Sequence, residues 1–197
     1  MKSAHLVAIA IAGTAFISGS VAVLGWRAPV APSAVTAGAM APVWIEVKWP
    51  FPTDQWGIGK AFACMPQDCG SRLDVYVRPK IGFCNCATGV SDDKELERIG
   101  DTDLVAPEIR PLGPGQPIKV GWMAGQMRAY QVAGGPAGKR LLSVAFNDEC
   151  DVVTAVAVLD NGDPSLAGRA VMGFLDSRPM VLWAKKELGL EFVSRVW

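Results

Sequence analysis

Histidine is almost missing from this chain of 197 residues, and the one imidazole is His5. Residues 27–197 hold none. That excludes Ser-His-Asp and Cys-His catalysis, His-ligated zinc or copper, and haem attached through a Cys-x-x-Cys-His run. Net charge is missing too. Nineteen Lys and Arg are balanced by nineteen Asp and Glu, with the two signs interspersed. Such a surface has no basic footprint for nucleic acid and no polybasic run for lipid headgroups. The glycines at 57 and 59 do not continue into a phosphate-binding fingerprint, "DNGDP" reads as a turn rather than a calcium loop, and no internal repeat is present. No catalytic residue, no metal and no cofactor is expected, and the chain reads as a non-enzyme.

What is present begins with an uncharged run, residues 6–26, "LVAIAIAGTAFISGSVAVLGW". Its length lies between a secretory signal and a single membrane span. Ser20 and Ala22 suit cleavage after Ala22, whereas Trp26 suits an anchor whose aromatic sits at the interface. Both readings stay open, and both place the remainder outside the cytoplasm. Residues 28–42, "APVAPSAVTAGAMAP", carry no charge and no aromatic, as an extended linker does. The expected organisation is a signal peptide or N-terminal transmembrane anchor over 1–26, an Ala/Pro-rich linker over 27–42, and one folded domain over 43–197. The expected location is the periplasm or another extracytoplasmic compartment, with anchoring to the inner membrane if residues 6–26 are retained.

Within the domain, Val43, Ile45, Val47 and Trp49 alternate with Trp44, Glu46 and Lys48, the period of a half-buried strand that Pro50 and Pro52 end. Residues 60–64 and "RLDVYVRPK" are further strands, the second with Leu73, Val75 and Val77 on one face and Pro79 marking an edge or terminus. "SDDKELERIG" reads as a helix with Asp92 and Glu95 at capping-box spacing and Gly100 as the stop. "APEIRPLGPGQP" reads as a loop without regular structure. "IKVGWM", "RAYQVA" and "RLLSVAF" are strands, the first two separated by a turn at "AGQ". "DVVTAVAVL" is apolar nearly throughout, as a central strand buried on both faces is, and "NDEC" joins it to "RLLSVAF" as a hairpin. Helices are expected over 165–175 and 179–189. Strands followed by helices, without βαβ alternation, predict an α+β fold: a mainly antiparallel sheet of about five to seven strands with C-terminal helices packed on it, stapled by disulfides.

Five cysteines, Cys64, Cys69, Cys84, Cys86 and Cys150, leave at least one thiol over after pairing. Cys64 and Cys69 flank a turn and suit a local bridge. A bridge from Cys84 or Cys86 to Cys150 would close a loop of about 65 residues, worth ~4 kcal/mol by the chain-entropy argument. Which of the two pairs is open. The alternative is a thiol-based envelope protein, either exchanging disulfides through Cys84 and Cys86 or holding Cu(I) on Cys84, Cys86 and Cys150 with Met65. Asp148, Glu149 and Asp151 surround Cys150 and would raise its thiol pKa. Arg72, Arg78, Lys80 and Arg128 read as the polar faces of two strands, or else as the lining of an anion pocket. Trp44, Trp49, Phe51 and Trp56 fall within "WIEVKWPFPTDQW". Such aromatics pack under an irregular loop, and as a rigid exposed patch they are a candidate partner-binding surface. The function expected from all of this is a non-catalytic binding or accessory protein of the cell envelope. Its partner would be a protein in or at the membrane, an auxiliary role in a membrane complex, with no nucleic acid involved.

Overall fold

The computed structural model describes residues 41–134 and 138–190. The expected leader over 1–26 and nearly all of the linker over 27–42 lie outside the described residues. No helix among the described residues is long and apolar enough to cross a membrane.

Among the described residues, eight strands form one antiparallel sheet. They are β1 (Trp44–Val47), β2 (Lys60–Cys64), β3 (Leu73–Lys80), β4 (Ile109–Pro111), β5 (Gln116–Val120), β6 (Met123–Val132), β7 (Lys139–Asp148) and β8 (Asp151–Asp160). The order is β1-β2-β3-β8-β7-β6-β4, with β5 also on β6. The helices are α1 (Pro66–Cys69), α2 (Asp93–Ile99), α3 (Pro164–Leu175) and α4 (Arg178–Glu187), with a 3-10 turn over Thr102–Leu104. The α+β class, the antiparallel sheet and the C-terminal helices stand as expected, with more strands than the sequence suggested.

The sheet has two covered faces. On one, Phe62, Leu73, Val75, Leu142, Val144 and Leu159 pack under α3 and α4, which contribute Ala167, Val171, Leu175, Met180 and Ala184. The other face carries two smaller clusters. Leu96 and Ile99 of α2 pack with Ala145 and Val152, while Ala106 and Tyr130 pack with Leu141, Val156 and Val158. Strand β8 lies between β3 and β7 and supplies residues to both faces, so its residues 152–159 are buried. This explains why its sequence does not alternate.

Three local readings need correction, while Pro79 does lie at a strand terminus as expected, one residue before β3 ends at Lys80. The pairing of β2 with β3 stops at Val77, so the missing N–H of Pro79 points past the end of β2. "AGQ" is not a turn. The turn is Gly121–Trp122, with Gly121 at φ 59°, and Gly125 lies inside β6 where a Cβ would strike Ala145 O. Glycine within a strand here marks close approach of two backbones rather than a reversal. Residues 109–111 form a short strand inside the segment read as irregular, and residues 66–69 form a helical turn.

Candidate functional site

After β1, the chain crosses the face of β3 that α3 and α4 do not cover. Residues 49–59 act as a strap, and each aromatic on it meets a β3 residue or the loop that follows. Trp49 and Phe51 meet Tyr76 edge-on at 6.1 and 4.7 Å between centroids, and Trp56 meets Phe83 at 4.5 Å. "DQWG" makes a turn, with Gly57 N donating to Asp54 O, Trp56 N donating to the Asp54 side chain, and Gly57 at φ 74°. Gly59 brings the strap onto β3, because a Cβ there would run into Val77 O, the Trp49 ring and Arg78 Cβ.

The strap explains the site's central surprise. Arg78 and Lys80 are not a solvated strand face; they are only 3% and 4% exposed. Buried cations need partners, and these have them. Arg78 Nε donates to Asp101 Oδ2 at 3.0 Å, and its NH1 donates to both Asp54 oxygens at 2.8 Å. Lys80 Nζ donates to Ile99 O at 2.6 Å and lies 2.9 Å from Asp101 Oδ1. It also sits 5.6 and 5.4 Å from the Trp56 and Phe83 ring centroids, within cation–π reach. The Thr154 hydroxyl donates to Asp101 as well. Burial pushes the Asp101 carboxyl up, but hydrogen bonds from Arg78, Thr154 and Lys80 and the Lys80 charge outweigh it and hold the pKa below the usual aspartate range. At Asp54 the Arg78 hydrogen bond acts in the same direction.

Above this floor opens a cleft of about 470 Å³ between the strap and residues 97–103. Trp56 and Phe83 form one wall, and Glu97, Arg98 and Asp103 reach the rim. Of the four cations considered as an anion pocket, only Arg78 and Lys80 meet here. Arg128 joins Glu97 at 2.7 Å, and Arg72 pairs with Asp74 away from the cleft. Asp101 escaped sequence reading, since nothing in "IGDTDL" marks it. The signal lay in β3, where two cations share a face with Tyr76 opposite the apolar run of β8. Such a face demands an acid.

Beside the cleft lies "CNC". Cys64 bonds Cys69, Cys86 bonds Cys150, and Cys84 is a buried free thiol. The loop is pinned from several sides. Cys84 N donates to Cys150 O, Asn85 N to Glu95 Oε1, and Arg98 to Phe83 O. Asp92 caps α2 by accepting from Glu95 N at 2.8 Å, while the Glu95 carboxylate turns to Asn85 and Arg98. The Cys84 thiol donates to Glu149 O at 3.2 Å. Burial, then the charges of Glu95 and Asp151, push its pKa up, which disfavours the thiolate. The Cys86–Cys150 bond takes two of the three thiolates a Cu(I) site would use, and among the described residues no group of three or more His, Cys, Asp or Glu converges.

Thiol titration should therefore find one thiol per oxidised chain, slow to react when folded and fast in denaturant. Three reactive thiols would mean that Cys86 and Cys150 are not bonded. As for the four aromatics singled out by sequence, Trp49, Phe51 and Trp56 line the strap. Trp44 is separate, stacked on Phe174 of α3 at 4.5 Å on the opposite face.

No family model matches the chain, and no curated protein matches it. Among solved structures it is similar to the solution structure of cyanobacterial PsbP (CyanoP) from Synechocystis sp. PCC 6803. The identity is 10%, over 68% of this chain and 78% of that one, with a TM-score of 0.42, a likeness too slight to bear on function.

Proposed function

We propose that this chain is a non-catalytic binding or accessory protein of an oxidising, extracytoplasmic compartment, an auxiliary subunit that docks a protein partner of a membrane complex on the strap. Two disulfides in one small domain support the compartment, since such bonds persist where the surroundings are oxidising. The observation that carries the docking site is the cleft itself. Half-buried Trp56 and Phe83 wall it, and the ionised groups of its floor are already paired with one another. A site of this kind recognises by shape and aromatic contact, as interface hot spots do, rather than by an activated group. Trp49 and Phe51 extend the same surface along the strap.

Affinity purification of the tagged full chain from solubilised membranes tests the reading. The wild type should recover a stoichiometric protein partner, and Trp56→Ala should weaken that recovery by about tenfold or more, the scale of an aromatic hot spot. Trp56→Phe should retain most of it. Recovery of the wild-type chain alone would overturn the proposal.

A further inference from the structure

The face of the sheet away from the strap holds a second cavity, about 350 Å³ in volume, between β6, β7 and α3. Met127 and Leu142 form its sheet side, and Gly168 and Met172 its helix side. No aromatic side chain lines it, unlike the cleft under Trp56 and Phe83. Its size, and an apolar lining broken by a few polar groups, are those of a small-molecule site. The two cations on the lining are not equivalent. Arg128 donates to Gly113 O and to Glu97, so its charge is already met. Arg169 is exposed and forms no ion pair among the described residues. Gly168 is the odd residue. It is buried inside a helix of 12 residues, where glycine is a poorer helix former than alanine. Packing does not demand it. A Cβ there would lie 3.5 Å from Met127 Cε and 4.0 Å from Leu142 Cδ1, which is ordinary contact. At Gly125, by contrast, a Cβ would strike backbone. The missing side chain at 168 leaves room, and that room is the cavity.

We infer that this cavity binds a medium-chain aliphatic carboxylate, with its chain against Met127, Leu142 and Met172 and its carboxylate on Arg169. The lining selects the chain. Methionine adapts its shape to an irregular apolar guest, and burying a flexible aliphatic chain beside Leu142 removes apolar surface from water. The free cation selects the head. A guanidinium meets a carboxylate with two parallel N–H···O bonds, a geometry that neither an alcohol nor an ammonium offers. Arg169 also borders a neighbouring groove of similar volume that Gly173 and Phe174 line. A ligand there would use the same charge, but Gly173 is exposed and its missing Cβ opens onto nothing within 4 Å. Only Gly168 stands between helix and sheet. The site lies on the opposite face from the strap and is independent of the partner proposed for it.

Equilibrium dialysis of octanoate against the full-length chain in lipid nanodiscs, with empty discs as the blank, tests the site. The wild type should bind one octanoate per chain. Arg169→Gln should weaken binding about tenfold, the scale of one hydrogen bond to a charged group. Octanol should bind the wild type more weakly by a similar factor, and octyltrimethylammonium not at all. Gly168→Leu fills the cavity and should abolish binding, whereas Gly173→Leu should leave it unchanged. Gly168→Ala keeps the test open if the leucine variant does not fold. It should raise the melting temperature, as alanine does inside a helix, and still weaken binding. A wild type that takes up no octanoate overturns the inference. So does octanol bound as tightly as octanoate, or a loss on Gly173→Leu equal to that on Gly168→Leu. A Gly168→Ala chain that melts lower, or that binds as well as the wild type, overturns it too. None of these outcomes touches the Trp56 experiment.

Discussion

Replacing Asp101 with alanine will cost about 3–5 kcal/mol of folding stability, the range found when one partner of a buried ion pair is removed and the other charge stays. Asp101 is 4% exposed and is the group that Arg78, Lys80 and Thr154 share. Without it, Arg78 keeps Asp54 and Lys80 keeps Ile99 O, which places the loss nearer the lower end. The same change at Asp54, whose side chain is well exposed, should cost about 1 kcal/mol or less because water screens that pair. Urea denaturation of the two variants measures the difference. Equal losses would mean that Asp101 is not the keystone of the network.

The pH dependence has a definite sign. A carboxyl whose folded pKa is lowered contributes stability that is fully present above its unfolded pKa of about 4 and is lost as pH falls through the folded value. For Asp101 that loss lies below the ordinary aspartate range. The gap between wild type and Asp101→Asn should therefore be constant from neutral pH down to about pH 5 and shrink only in stronger acid. A gap that closes near neutrality would point to another group.

The second large effect belongs to a bridge. Cys150→Ala opens the Cys86–Cys150 bond, which joins residues 64 positions apart, and should lower stability by about 4 kcal/mol on the loop-entropy estimate. The Cys64–Cys69 bond closes a far smaller loop, and the same estimate gives it about 2 kcal/mol. The test is denaturation with and without reductant. The wild type and Cys150→Ala should differ when oxidised and converge when reduced. A difference that persists in reductant would assign the loss to packing around the β7–β8 turn instead.

The parts of this fold that sequence reveals are those where one local rule acts alone. The unbroken apolar run of β8, the capping of α2 by Asp92 and the helices after Pro164 each follow from a few adjacent residues. What escapes is decided by distant partners. Arg78 and Lys80 look like surface residues until the strap lies over them, and the strap lies there because Gly59 has no side chain. Likewise "CNC" offered two equivalent cysteines. The choice of Cys86 over Cys84 depends on hydrogen bonds from α2 and from the β7–β8 turn, none of which is written in the motif. Trp44 and Trp56 stand close in sequence but serve opposite faces, because β1 alternates and the strap does not.

The place of β8 in the sheet also bears on how the chain comes to be folded. Strands β1 to β3 have only each other until β8 arrives, and the pairs from Lys80–Val152 to Leu73–Leu159 join segments far apart in sequence. Non-local pairings of this kind are slow to form, since their entropy is lost before any contact repays it. A chain made N-terminus first therefore leaves one side of β3 bare until residues 151–160 have emerged. Through that interval Cys86 has no Cys150 to meet. The Cys86–Cys150 bond therefore belongs to the late part of assembly, after β8 has arrived.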